Sequence, residues 1–225
     1  GTVDKYMGDC IMAFWNAPLD DADHARHACL SALAIHDELI SLNERMSKEA
    51  EQAGRRHIAL RVGIGINSGD AVVGNMGSDQ RFDYSVLGDE VNLASRLEGL
   101  CKFYGVGIII GENTRDEAPD LAMLDIDLVL VKGKTTAIRV FALLGDECVG
   151  SDNRFRALSI AHQAVRTTYL KQDWKAARRD LAQCRGLSGP FDLAALYDLY
   201  ERRITCYESA PPGHGWDGVF VAQTK

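Results

Sequence analysis

No run of apolar residues approaches the roughly 18–20 that a membrane-crossing helix needs, so the sequence holds no candidate span. Basic charge is also scarce: 25 Lys and Arg stand against 32 Asp and Glu, a net charge of −7. An acidic balance excludes broad binding to nucleic acid or to an anionic membrane. It leaves room for a small basic pocket that takes a phosphorylated ligand. The six cysteines, Cys10, Cys29, Cys101, Cys148, Cys184 and Cys206, include no C-x-x-C pair. Most stand among apolar neighbours, so buried free thiols of a reducing compartment are expected, not zinc or disulfides. The opening Gly1-Thr2-Val3-Asp4-Lys5-Tyr6 has neither an initiator Met nor the apolar core of a signal peptide. That is expected of a chain cut from a longer one. What is present is a globular composition, 46% hydrophobic and 25% charged over 225 residues. It suits one large domain, or one with an appendage, able to bury a core without staples.

Familiar catalytic signatures are missing too. Gly63 and Gly65 are followed by Ser68 where a dinucleotide-binding loop needs a third Gly. Gly133-Lys134-Thr135 is like the end of a phosphate loop, but Leu128 stands where that loop needs its first Gly. His24 and His27 lack a carboxylate or Cys set that would complete a metal site, and His162 and His214 have no visible partners.

Periodicity organises the chain. Residues 2–6 and 10–15 read as a hairpin about Met7-Gly8-Asp9. Ala25, Ala28, Ala32, Ile35, Leu39, Leu42 and Met46 lie on one face of a long helix, with Asp20 and Asp23 as N-caps and a solvated end over 47–56. Strands are expected over 58–66, 71–73 and 106–110, with 81–87 a strand or loop and 128–131 and 138–143 a hairpin. Helices are expected from Gly88-Asp89 to about Phe103 and over 113–118. Strands and helices alternate with adjacent hairpins, which excludes a purely parallel doubly wound sheet and favours an α+β sandwich. After Cys148-Val149-Gly150 the composition changes, and residues 154–208 hold helical patterns only. Leu158, Ala161, Val165 and Tyr169 form one stripe; Trp174, Ala177, Leu181 and Cys184 a second; Leu193, Leu196, Tyr197, Tyr200 and Ile204 a third. Asp173 and Asp192 are candidate caps, and 219–222 a candidate last strand. The boundaries expected are residues 1–147 and a helical-hairpin extension with tail over 148–225. One such unit is too little for an independent array, so it is expected to pack on the first part.

Three segments carry chemistry. Lys5-Tyr6-Met7-Gly8-Asp9 sets a cation and a carboxylate about a Gly turn; it is either a surface ion pair or a ligand-facing Lys with an oxygen donor for Mg²⁺. Arg61-Val62-Gly63-Ile64 runs into Asn67-Ser68-Gly69 and Gly74-Asn75-Met76-Gly77, where the glycines alone read as tight packing. Tyr84-Ser85-Val86-Leu87-Gly88-Asp89 leads into a helix on which Asn92 and Arg96, four apart, share a face that is either solvated or presented to a phosphate.

Together these segments closely resemble the class III nucleotide cyclases, the adenylate and guanylate cyclase catalytic domain. The likeness rests on Asp4-Lys5 through Gly8-Asp9 to Met12-Ala13-Phe14-Trp15, on Arg61-Val62-Gly63-Ile64, and on Asp83 to Asp89. It continues through Val91-Asn92-Leu93-Ala94-Ser95-Arg96 and Val131-Lys132-Gly133-Lys134, in order over residues 1–145. The tail with Gly215-Trp216-Asp217-Gly218-Val219 resembles bacterial cyclases with a helical extension. The resemblance implies a ferredoxin-like α+β cyclase sandwich, mostly antiparallel, followed by a small all-α extension.

It also implies conversion of ATP to 3′,5′-cyclic AMP and pyrophosphate in intracellular signalling, with two Mg²⁺ or Mn²⁺ per site between two subunits of a head-to-tail homodimer. Asn92 and Arg96 match the ribose-positioning and transition-state pair, Lys5 and Ser85 the base-reading pair. Arg61 and Lys132 match triphosphate contacts, and Asp9 a metal ligand. Asp9 and Arg61 would come from one subunit and the other five from its mate. ATP is favoured because Lys5 only donates and Ser85 can accept, which suits N1 and the N6 amine of adenine; guanine inverts both. Ser at position 85, where many members carry Asp, is a bacterial variant linked to bicarbonate activation. The family's other metal Asp lies on a strand before the first hairpin, and this chain begins after it. An inactive chain with an exposed sheet edge is therefore expected here. A cytoplasmic site follows from ATP use, and an upstream sensor domain fits the family. The alternative of another class is a catalytically inactive cyclase-like module that dimerises and regulates a partner. It gives no reason for Lys5, Asp9, Asn92, Arg96 and Lys132 to occur together.

Overall fold

The computed structural model describes residues 1–78 and 81–222. The last three residues of the expected tail, 223–225, lie outside it. In chain order the elements are β1 (Thr2–Met7), β2 (Cys10–Phe14), α1 (His24–Gln52), β3 (Ile64–Ile66), β4 (Val72–Ser78), β5 (Arg81–Leu87), α2 (Asp89–Tyr104), β6 (Ile108–Gly111), α3 (Glu112–Glu117), β7 (Ala122–Leu130) and β8 (Ile138–Gly145). There follow α4 (Glu147–Ser151), α5 (Asn153–Leu170), α6 (Trp174–Leu187), α7 (Ala194–Ser209) and β9 (Val219–Val221).

A five-stranded mixed sheet in the order β3-β6-β8-β7-β9 forms the centre. Its outer pairs, β3-β6 and β7-β9, are parallel, and its inner pairs antiparallel. Two further hairpins, β1-β2 and β4-β5, stand as separate two-stranded ribbons. The period of two along a strand divides the core between two faces. Ile109, Val140, Ala142, Leu124 and Ile126 face α2, α5 and α7. Ile108, Ile110, Phe141 and Leu143 face the other way, onto Cys29 and Ala32 of α1 and Ala118 behind α3. The first of these cores runs without a break into the three helical stripes, so α5 to α7 close the sheet directly. Residues Leu158, Ala161, Val165, Ala177, Leu181, Leu196, Tyr197 and Tyr200 are all buried there.

Several local expectations need correction. The strand over 58–66 is confined to Ile64–Ile66. Upstream, Asn43 on α1 takes the place of a neighbouring strand: its Nδ2 donates to the Leu60 carbonyl at 2.9 Å and its Oδ1 accepts from the Leu60 amide at 2.8 Å. The strand expected over 71–73 starts at Val72 and is longer, pairing with β5 from Val72–Leu87 to Ser78–Arg81. Asp23 sits at the N-cap of α1 without a side-chain cap; Asp21 instead accepts from the Asp23 amide and holds His27. Asp192 caps nothing, since Leu193 is the N-cap of α7, whereas Asp173 does cap α6 through the Ala176 amide at 3.0 Å. Of the cysteines, Cys29, Cys101 and Cys184 are buried, but Cys10, Cys148 and Cys206 are exposed.

Two β-bulges each turn an aspartate inward. On β7, Asp125 pairs with Phe141 and Asp127 with Val140, leaving Ile126 as the extra residue. The alternation shifts by one there, so Asp127 and Val129 join Leu124 and Ile126 on the buried face. Asp127 is fully buried and accepts from Tyr104 Oη at 2.7 Å, Arg203 Nη1 at 2.6 Å, Arg166 Nη1 at 3.2 Å and the Leu128 amide at 3.0 Å. Tyr200 Oη accepts from Arg166 at 3.0 Å and donates to the Ile126 carbonyl at 2.7 Å. One carboxylate thus ties β7 to α2, α5 and α7. On β1, Val3 pairs with Ala13 and Lys5 with Met12, so Asp4 is the extra residue.

Candidate active site

The Gly88–Asp89 step starts α2, with Asp89 and Glu90 in its first turn, where negative charge suits the helix N-terminus. Glu90 Oε2 accepts from Asn67 Nδ2 at 2.7 Å and Glu90 Oε1 from Lys134 Nζ at 2.9 Å. Lys134 also reaches Asp89 Oδ2 at 3.1 Å, and these two carboxylates hold its pKa above the usual lysine value. The turn after β3 and the turn after β7 are thereby fastened to the same end of α2. Gly65 lets α2 lie flat on β3: any Cβ there would run into the backbone of Ala94 and Glu98. Gly133, at φ +80°, brings the 131–134 turn under Arg96, whose Nη2 lies 3.2 Å from where a Cβ would stand. Arg96 Nη1 is buried without a hydrogen-bond partner. Asn92, one turn earlier, is exposed, as are Arg61 and Lys132.

The two ribbons meet at Asp4. Ser85 Oγ donates to Asp4 Oδ2 at 2.9 Å, and Lys5 Nζ lies 3.6 Å from the same oxygen. Phe14 and Tyr84 pack beside this contact with ring centroids 6.0 Å apart. Lys5 and Ser85, eighty residues apart in sequence, so share one carboxylate.

Two groups therefore form: Lys5 with Ser85, and Arg96 with the turn that carries Lys132 and the helix face that carries Asn92. Asp9, in the exposed β1-β2 turn, and Arg61, in the exposed stretch before β3, form no side-chain hydrogen bond or ion pair with either group among the described residues. No set of three His, Cys, Asp or Glu side chains able to hold a metal ion occurs among the described residues, and Asp9 alone does not make one. The residue that sequence reasoning passed over is Asp4. It was quoted within a motif but given no role, and its only signal was a carboxylate next to Lys5.

Residues 4–143 match the family model of the Adenylate and Guanylate cyclase catalytic domain. The chain belongs to this family. It is 36% identical over 148 residues to "Adenylate cyclase 1" of Rhizobium meliloti (strain 1021), covering 64% of this chain and 21% of that protein. It is 39% identical over 146 residues to "Adenylate cyclase" of Anabaena cylindrica, covering 63% of this chain and 28% of that protein. The chain thus spans about a quarter of the length of these curated relatives. Among solved structures it resembles the adenylyl cyclase CyaB from P. aeruginosa, with TM-score 0.52 and 31% identity over 65% of this chain and 72% of that one. It also resembles the guanylyl cyclase Cya2, with TM-score 0.55 and 32% identity over 65% and 71%. The α+β cyclase fold is accordingly that of residues 4–143, and α4 to β9 lie beyond the match. No helix among the described residues is long and apolar enough to cross a membrane.

Proposed function

We propose that this chain is the catalytic part of an adenylate cyclase, which converts ATP to 3′,5′-cyclic AMP and pyrophosphate at a site shared between two copies, in intracellular signalling. The observation that carries the reading is the convergence of Lys5 and Ser85 on one carboxylate. A donor-only ammonium and a hydroxyl lie side by side, complementary to N1 and the N6 amine of adenine.

The remaining residues suit attack of the ribose 3′-oxygen on the α-phosphorus, with the α–β bridging oxygen leaving on pyrophosphate. Arg96 holds its guanidinium against the 131–134 turn with one nitrogen unpartnered, ready for charge that develops on the phosphate. Asn92 stands one helical turn away to hold the ribose. Lys132 and Arg61 are exposed cations for the triphosphate. The divalent cations of the family, Mg²⁺ or Mn²⁺, need carboxylates besides Asp9, and this chain's described residues do not complete such a centre. Exposed Tyr6, Met7, Ile11, Val72, Phe82 and Leu87 on the two ribbons support a homodimer, because apolar side chains concentrated on projecting hairpins favour a second copy over water.

The test is an assay of the full-length protein with ATP or GTP and Mn²⁺, reading cyclic nucleotide and pyrophosphate, with Arg96→Ala and Asn92→Ala alongside. Cyclic AMP from ATP, little product from GTP, and loss in both variants is the expected result. A folded, dimeric, full-length protein that forms no cyclic product would overturn the reading and leave a regulatory cyclase-like module in its place.

A further inference from the structure

We propose that Asp4 is a specificity-determining positioning residue: it fixes the Ser85 hydroxyl as a hydrogen-bond acceptor, so that the pair selects a purine bearing an exocyclic amine over one bearing a carbonyl. The inference rests on the reading of Lys5 and Ser85 as base contacts.

The bulge on β1 is the first part of the device. The extra residue of a bulge leaves the ladder, and its side chain is re-aimed. Here it is Asp4, turned from the ribbon toward β5, with its side chain only 1% exposed. The second part is the direction of the hydrogen bond. An ionised carboxylate can only accept, so the Ser85–Asp4 contact at 2.9 Å uses the single proton of the serine. Ser85 is 4% exposed, so little water competes to turn that proton elsewhere. What Ser85 retains is lone pairs. What Asp4 retains is Oδ1, which is buried and has no partner. Every hydrogen-bonding capacity left on the pair is therefore an acceptor, and a buried acceptor without a donor is costly. The N6 amine of adenine supplies the donor. The O6 carbonyl of guanine would face acceptors only. Lys5, beside the same carboxylate, supplies the donor for N1 of adenine, where guanine carries a proton of its own.

The test uses the full-length protein and two readouts: kcat/KM for ATP and for GTP, and displacement of a fluorescent nucleotide by each. Asp4→Asn replaces one acceptor oxygen with a donor, which releases the serine proton toward the base. The ATP to GTP preference is expected to fall about 10- to 100-fold in both readouts. In a Ser85→Ala background the same change should leave the preference where Ser85→Ala alone puts it. Asp4→Asn combined with Ser85→Asp returns a carboxylate from β5 and should recover the preference for ATP. A melting curve for each variant confirms that it folds. If Asp4→Asn slows turnover of both nucleotides alike and leaves the preference intact, Asp4 merely staples the two ribbons and the inference falls alone. If the unaltered protein binds and turns over neither nucleotide, the inference falls together with the reading beneath it.

Discussion

Removing the charge of Asp127 should unsettle the whole molecule. Two guanidinium groups, Arg166 and Arg203, point at this carboxylate, with side chains 6% and 10% exposed, and burial has left them little water. Arg203 is further enclosed by Phe220, with its guanidinium carbon 4.3 Å from the ring centroid, and Phe103 stacks on Phe220 at 4.8 Å. Asp127→Asn keeps the shape but leaves two buried cations against one remaining carboxylate, Asp125, at 3.8 Å from Arg166. Breaking a buried ion pair from one side costs about 3–5 kcal/mol, against roughly 5–15 kcal/mol for an entire domain. With a urea slope of about 2–3 kcal/mol per M, the midpoint should fall by about 1–2 M. Fluorescence reports the helical layer through Trp174 and Trp216, which lie in an aromatic cluster with Tyr169 and Tyr207, and the end of the β1-β2 ribbon through Trp15. Circular dichroism reports the whole. Both should shift together, because the carboxylate joins strand and helices. Replacing all three, Asp127→Leu with Arg166→Met and Arg203→Leu, should cost less than the single change, since neither guanidinium is then stranded and Asp125 keeps Arg139 at 3.7 Å. A loss below about 1 kcal/mol for Asp127→Asn, or a triple variant weaker than the single one, would refute the reasoning.

Acid should weaken the fold through His162. Its Nε2 donates to the Asp125 carbonyl at 2.9 Å while Nδ1 is buried without a partner, and burial lowers its pKa from 6.5 to about 4. Between those values the unfolded chain binds a proton that the native one refuses, so stability falls as pH drops from 6.5 to 4, by about 3 kcal/mol in all. Urea midpoints at pH 7, 6 and 5 should show this slope, and His162→Phe should reduce it to the part contributed by His36, whose pKa burial also lowers; Asp125, whose carboxyl is raised by burial, acts in the opposite sense. Gly133→Ala forces a side chain into φ +80° and against Arg96, which should cost about 1–2 kcal/mol in a melt and cut cyclase turnover by up to about 100-fold. An aromatic disulfide reagent should find Cys10, Cys148 and Cys206 in the native protein. It should find Cys29 and Cys101, whose pKa burial pushes to about 12, and Cys184, pushed to about 11, only after unfolding.

Much of the architecture is legible because it repeats. The stripes on α5, α6 and α7 recur every three or four residues, and each of their apolar members is buried or packed on the core. The hairpin around Gly8-Asp9 and the start of α2 were legible from turn chemistry. What escaped reading depends on partners that are distant in sequence. Residues 122–127 alternate poorly, because Asp125 and Asp127 interrupt the apolar pattern and a bulge shifts it by one, so only the end of β7 was anticipated. Ile58, Leu60 and Val62 alternate well and yet form no strand: their neighbour is a helix side chain, Asn43. His162 looked solitary because its acceptor is a backbone carbonyl 37 residues away. For the site, Lys5, Ser85, Asn92, Arg96 and Lys132 were named through the resemblance to the cyclase family. The link between the first two was invisible, since nothing local announces that Asp4 is a bulge residue aimed at β5.

The return of β9 to the central sheet has a topological consequence. The helical layer leaves the sheet from the end of β8 and comes back beside β7, the strand next to it. It is a closed handle fastened at both ends to neighbouring strands, not a pendant on a hinge. A single cut in the link between α6 and α7, at Gly189 or Pro190, would therefore free neither piece. One half stays covalently joined through β8, and the other is held by the parallel ladder from Leu128–Val219 to Leu130–Val221 and by Arg203 on Asp127. A partner that pulls on these helices must displace β7 and β8 together. Through the Gly133 turn that joins those two strands, the displacement reaches Arg96.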